Sequence, residues 1–184
     1  MMKLKLFIVV FSILAVSCAN QMQPSRDDDL HFRLVRSMKL VELTLWEFEK
    51  SYMEGCLMHQ SENYCKNHML LLDANRLEEL YVKDLKIIFE NSDLEGVVGF
   101  LETPNGMLFS EIAYKQNIFE VQYHPSMPIV TNEQIDAINH YRASMEWRSF
   151  ERKMYQFQEI SKHTIGKYIL NTSMQAAEKL IDDL

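Results

Sequence analysis

The patterns that announce a known chemistry are missing from this chain of 184 residues. It has no G-x-S-x-G nucleophile elbow, no H-E-x-x-H zinc helix, no Walker loop and no dinucleotide-binding fingerprint. It also lacks a surplus of positive charge. Lys and Arg number 19 against 26 Asp and Glu, giving a formal charge of −7. Phosphate contacts need clustered cations, so nucleic acid is excluded as a partner. Cysteine is scarce, with three residues: Cys18, Cys56 and Cys65. The leading apolar run, Leu6–Val16, is interrupted by Ser12 and is too short to span a bilayer core comfortably.

What is present begins with an export signal. Lys3 and Lys5 form a basic n-region, Leu6–Val16 an h-region, and small residues with a cysteine follow at Ala15-Val16-Ser17-Cys18-Ala19. Leu14-Ala15-Val16-Ser17-Cys18 resembles a bacterial lipobox, in which the cysteine is acylated and becomes the new N-terminus. Leu14 stands four residues before Cys18, where the pattern prefers three. Ordinary cleavage after Ala19, which discards Cys18, and an uncleaved anchor are the alternatives. By resemblance to lipoprotein sorting rules, Ala19 rather than Asp after the cysteine directs a lipoprotein to the outer membrane of a Gram-negative cell. Cleavage before Cys18 removes two lysines and no acids, moving the formal charge to −9. Residues 20–29, with Pro24 and the run Asp27-Asp28-Asp29, read as a polar tether ahead of a helix start.

Two cysteines remain for the domain. An even number in an exported chain points to a disulfide between Cys56 and Cys65, worth about 2–3 kcal/mol by loop closure. The same segment offers an alternative. Cys56 and His59, then Cys65 and His68, form two C-x-x-H units with the ligand types of a tetrahedral zinc site. The five-residue spacer is much shorter than in zinc fingers.

The rest is helical in pattern. Leu30, Leu34, Met38, Val41, Leu45, Phe48 and Tyr52 step by threes and fours, predicting one helix from Asp28 to Gly55. Ser61 caps a helix through Leu72. Asp73 or Asn75 starts another to Glu90, and Ser92-Asp93 opens a short one. Thr103-Pro104 is an N-cap followed by proline at the first helical position, predicting a helix to about Val121. Thr131 starts a helix through Ala143, and Ser144 caps a long last one that Gly166 can kink. Extended backbone is confined to Phe119–His124 and Ile129–Val130. A weak internal repeat at an offset of 41 residues lays 94–109 over 135–150, pairing Phe100 with Tyr141, Thr103 with Ser144 and Phe109 with Phe150. Duplication and coincidence of two helical hairpins both account for it.

Thr131-Asn-Glu-Gln-Ile135 with His140-Tyr141-Arg142-Ala143-Ser144 resembles the core motif of bacterial domain-of-unknown-function family 2059. Phe100-Leu-Glu-Thr103-Pro104-Asn-Gly106 is similar to the same corner. The second copy replaces Pro and Gly with Met145 and Trp147. The resemblance covers roughly residues 90–165. It implies an all-helical exported bacterial domain and carries over no catalytic residue.

These readings set the expectations. The fold is all-α, a multi-helix bundle of about six to seven helices built from helical hairpins. Residues 1–19 are the signal peptide, 20–29 the tether and 30–184 one helical domain. The function is that of an exported envelope protein, lipidated at Cys18, acting as a non-catalytic interaction or structural module. The alternative is a periplasmic small-ligand or metal-binding protein using an inter-helix pocket or the Cys56–His68 segment. No cofactor is expected. Partners are the membrane, through the lipid, and an unidentified protein. The location is the periplasm at the outer membrane, or soluble periplasmic or secreted. The helix corners Phe100, Thr103, Pro104, Gly106, Tyr141 and Ser144 are expected to be structural.

Overall fold

The computed structural model describes residues 26–119 and 126–182. The expected signal peptide with Cys18, the tether to residue 25 and the extended stretch at 120–124 lie outside them. Among the described residues the chain forms eight helices and no strand, an all-α bundle. They are α1 (Leu30–Ser37), α2 (Leu40–Leu57), α3 (Glu62–Asn67), α4 (Ala74–Ile88), α5 (Asn91–Leu101), α6 (Pro104–Phe119), α7 (Asn132–Arg142) and α8 (Met145–Asp182). None is long and apolar enough to cross a membrane.

The starts follow local chemistry. The Asp29 carboxylate accepts from the His31 amide at 2.9 Å, and Asp73 accepts from Asn75 and Arg76. Each satisfies donors that the first turn leaves unpaired. Thr131 and Gln134 exchange side-chain and backbone bonds in a capping box that starts α7. Glu90 and Asp93 do the same for α5, so that helix starts one residue ahead of Ser92.

Three expectations need correction. The predicted helix from Asp28 to Gly55 is two helices, separated at Met38–Lys39. Lys39 has φ 54°, the left-handed region, which costs an L-residue roughly 1–2 kcal/mol. Its ammonium is bonded to Glu111 of α6 and lies 5.0 Å from the centre of the Tyr114 ring. Those contacts hold the turn, and the periodicity runs through it unbroken. Gly55 does not end α2, which continues to Leu57. The helix starting at Ser61 stops at Asn67 rather than Leu72, where the His68 ring stacks on Tyr64 at 4.1 Å. The last residues of the expected tether are packed. Arg26 pairs with Glu78 and Glu79, and Asp27 with Arg36, so residues 26–29 belong to the packed domain.

One main cluster joins α1, α4, α5 and α8 through Leu34, Leu85, Leu94, Val98, Phe150 and Phe157, all at most 3% exposed. Each side chain of this size contributes roughly 1.5–3 kcal/mol on burial. A second, smaller cluster sets Leu72, Leu77 and Leu80 against Ile165. The pairings Phe89–Phe150, Tyr81–Phe157 and Asp73–Tyr168 make α4 and α8 antiparallel. Thr44–Tyr81 and Tyr52–His68 make α2 antiparallel to α4. Helices α2 and α8 therefore run in the same direction on either side of α4. The α8 helix passes through Gly166 without a break.

The domain's start is fastened to its centre by a buried histidine. His31 is 4% exposed. Its Nε2–H donates to the Phe89 carbonyl at 3.0 Å, at the end of α4, while Nδ1 meets Asp29 at 3.0 Å. His31→Ala removes the ring's donor to the buried Phe89 carbonyl and leaves a void, while Asp29 keeps the residue-31 amide and Lys86; it should lower the unfolding free energy by about 2–4 kcal/mol. Arg33→Ala breaks an exposed pair with Glu102 and should cost under about 1 kcal/mol. Urea unfolding followed by circular dichroism compares the two, and equal midpoints would refute the ranking.

Candidate functional site

The sequence-selected residues form two structural assemblies. At the first corner, the Thr103 hydroxyl donates to the Phe100 carbonyl at 2.7 Å and accepts from the Gly106 amide at 3.1 Å. Pro104 is the first residue of α6. At the second, Ser144 accepts from the Trp147 amide at 3.1 Å. One pair matched by the 41-residue offset touches directly, and a second is bridged by Trp147. Phe100 and Tyr141 stack at 3.9 Å with 11° between planes, and Trp147 lies against both Phe109 and Phe150. Helix α5 packs on α8 and α6 on α7, so each hairpin crosses the other in the same way. Burial, then the Glu146 carboxylate beside it, pushes the Tyr141 phenol above its ordinary pKa. At both corners the hydroxyl of the capping residue, Thr103 or Ser144, is engaged with a backbone amide three residues on.

The second assembly is the Cys56–Cys65 disulfide, with Cα atoms 5.8 Å apart, joining α2 to α3. It corrects the zinc alternative, because bridged sulfurs are not thiolate ligands. His59 and His68 are exposed, and His68 Nδ1–H donates to the Tyr64 carbonyl. Among the described residues no group of three or more His, Cys, Asp or Glu is placed to hold a metal ion.

The sequence allows for an inter-helix pocket without placing one. A groove of about 490 Å³ lies between α2 and α8, over α4. That is within the usual size of small-molecule sites. Spacing on two parallel helices builds it. Thr44, Phe48 and Ser51 share one face of α2; Ser161, Ile165 and Ile169 share one face of α8. Tyr81 of α4 joins them at the Thr44–Ser161 end. Glu47 and Lys162 stand on opposite walls. Three hydroxyls thus gather at one end, and the other is mainly apolar, with Ser51 beside Phe48, Ile165 and Ile169.

Its hydroxyl protons can be assigned. The Thr44 hydroxyl donates to the Leu40 carbonyl at 2.9 Å, so the 2.5 Å contact with Tyr81 is donated by the phenol. Ser161 donates to the Gln158 carbonyl at 3.4 Å. All three oxygens are left as acceptors. Burial, then the Glu47 and Asp84 charges, raises the Tyr81 pKa against the opposing Thr44 bond, so the phenol keeps its proton. Asp84, one turn along α4 from Tyr81, is 2% exposed and its Oδ2 has no hydrogen-bond partner. A larger cavity, about 720 Å³, sits beside the α1–α2 turn. Its charged lining is already committed: Lys39 to Glu111, Glu102 to Arg33, Arg36 to Glu78.

The sequence did carry one signal for the groove. Thr44, Asp84 and Ser161 are polar residues set inside apolar helical stripes, and each is buried. Gly106 gives the sharpest test of the corners. A Cβ there would lie 2.0 Å from the Phe100 carbonyl oxygen, whereas one at Gly55 meets nothing within 4 Å. Gly106→Ala should destabilise by about 1–3 kcal/mol or more, and Gly55→Ala should stabilise by about 0.5–1 kcal/mol. Thermal unfolding of the two variants should move in opposite directions; a shared sign would refute the close-approach argument. No protein-family model matches the chain, and no curated protein or solved structure matches it either.

Proposed function

We propose that this chain is an exported envelope protein, tethered to the outer membrane by a lipid on Cys18, whose helical domain is a non-catalytic interaction module. The observation that supports it most is the Cys56–Cys65 disulfide. Such bonds persist in oxidising compartments and are rare in reducing ones. The lipobox-like residues before Cys18 supply the tether. Eight positions separate Cys18 from Arg26, where the packed domain begins. Fully extended, that length reaches at most about 29 Å. On this reading the domain works near the membrane surface. Kinship with domain-of-unknown-function family 2059 belongs to the same proposal, supported by the paired corners at Thr103 and Ser144.

A second reading rests on the groove between α2 and α8: a small-ligand-binding envelope protein. The two are compatible, because a tethered module can carry a ligand.

Metabolic labelling with palmitate tests the tether. The wild-type chain should take up label and sediment with membranes, while Cys18→Ser should do neither. Release of unlabelled wild-type protein would overturn the tether in favour of cleavage after Ala19. Maleimide labelling tests the compartment: Cys56 and Cys65 should react only after reduction, and free thiols in freshly isolated protein would overturn the export reading. Crosslinking in cells followed by mass spectrometry then identifies the protein partner.

A further inference from the structure

We propose that the α2–α8 groove binds a small compound carrying a primary ammonium on an apolar body of one ring or one short chain. The proposal rests on the small-ligand reading of the same groove and names its ligand class.

Size comes first. A space of about 490 Å³ admits a molecule of that scale and is too small for a helix or a two-chain lipid. Shape comes second. The walls run parallel, with Thr44, Tyr81 and Ser161 toward one end and Phe48, Ile165 and Ile169, with Ser51 at the rim, toward the other. A ligand with one polar head and one apolar body matches that gradient.

The sign of the head group follows from the hydroxyl protons. Thr44 gives its proton to the Leu40 carbonyl, Tyr81 gives its proton to Thr44, and Ser161 gives its proton to the Gln158 carbonyl. Three oxygens therefore present lone pairs and no proton. Glu47 on the wall adds a carboxylate, which can only accept when ionised. A carboxylate or phosphate head would meet lone pairs at Thr44, Tyr81 and Ser161 and would find its donors at Ser51, Gln158 and Lys162, all three exposed. An ammonium has three N–H donors and no acceptor, so it matches the acceptors at that end. The buried Asp84 carboxylate, one turn beyond Tyr81 with Oδ2 unpartnered, adds a negative field of the same preference. Lys162 opposes it from the far wall, where its long stem lets the charge move out into water.

The test uses three probes of one shape on the full-length chain: phenethylammonium, 2-phenylethanol and 3-phenylpropanoate, titrated by calorimetry and by amide chemical shifts. Phenethylammonium should bind at least about tenfold tighter than 3-phenylpropanoate, with shifts clustered at Thr44, Tyr81 and Ile165. Glu47→Gln should weaken phenethylammonium roughly tenfold, the order of one charge-assisted hydrogen bond, and leave 2-phenylethanol unchanged. Lys162→Met should leave ammonium binding equal or tighter. Tighter binding of 3-phenylpropanoate that is lost in Lys162→Met would overturn the ammonium assignment and keep the groove as a site. Absence of binding by all three probes, with wild-type folding intact, would overturn the groove reading itself.

Discussion

The fold depends on one mismatch of length. Helix α8 has 38 residues, about 57 Å at 1.5 Å per residue. Its principal partner α4 has 15, about 22 Å. A single partner cannot cover such a stripe. Trp147, Phe150, Met154 and Phe157 are buried in the main cluster by α1, α4 and α5 together. Past Phe157 only the first half of α4 and the edge of α2 remain, and the smaller cluster around Ile165 is what they can close. The core divides there. The groove is the space left where α2 and α8 both lean on α4 without closing over Tyr81.

The same mismatch explains which features were legible in the sequence. Helix starts at Ser61, Asp73, Thr103-Pro104, Thr131 and Ser144 were readable because each is a local bond between a side chain and an amide two or three residues on. The pairing of Cys56 with Cys65 was readable by elimination of Cys18. The break at Lys39 was not. Lysine carries no turn signature, and what holds its left-handed backbone is Glu111 and Tyr114, more than seventy positions away. The groove was hidden for a similar reason, since its polar end needs Thr44, Tyr81 and Ser161 from three helices. Only packing shows Asp84 to be buried.

The corner pair shows how far one substitution can separate two matched halves. Gly106 and Trp147 occupy equivalent places, three residues after Thr103 and Ser144. Glycine lets α6 come within contact of the α5 backbone, and any Cβ would strike it. Tryptophan fills the matching space with a ring that touches Phe100, Phe109, Tyr141 and Phe150. The first hairpin is therefore closed by backbone approach, and the second is wedged by an aromatic ring that also seals the first. The Trp147 N–H donates to Glu151 at 2.7 Å, so its polar edge is satisfied without loosening the wedge.

The acceptor character of the groove is a consequence of helix chemistry rather than an isolated arrangement. Hydroxyls on helices tend to donate to a carbonyl three or four residues back. In this chain Thr44, Thr103, Ser161, Thr172 and Ser173 all do so. In the groove, Thr44 and Ser161 therefore face a ligand with lone pairs. Tyr81 would have been the exception, since a phenol has no nearby carbonyl of its own to address. Thr44 removes that freedom by presenting a lone pair at 2.5 Å and taking the proton. The polarity of the polar end is thus set by Leu40, a backbone carbonyl that lines nothing, through a chain of two hydroxyls. Replacing Thr44 with valine would keep the shape and free the Tyr81 proton, adding one donor to an end where Ser161 and Glu47 remain acceptors.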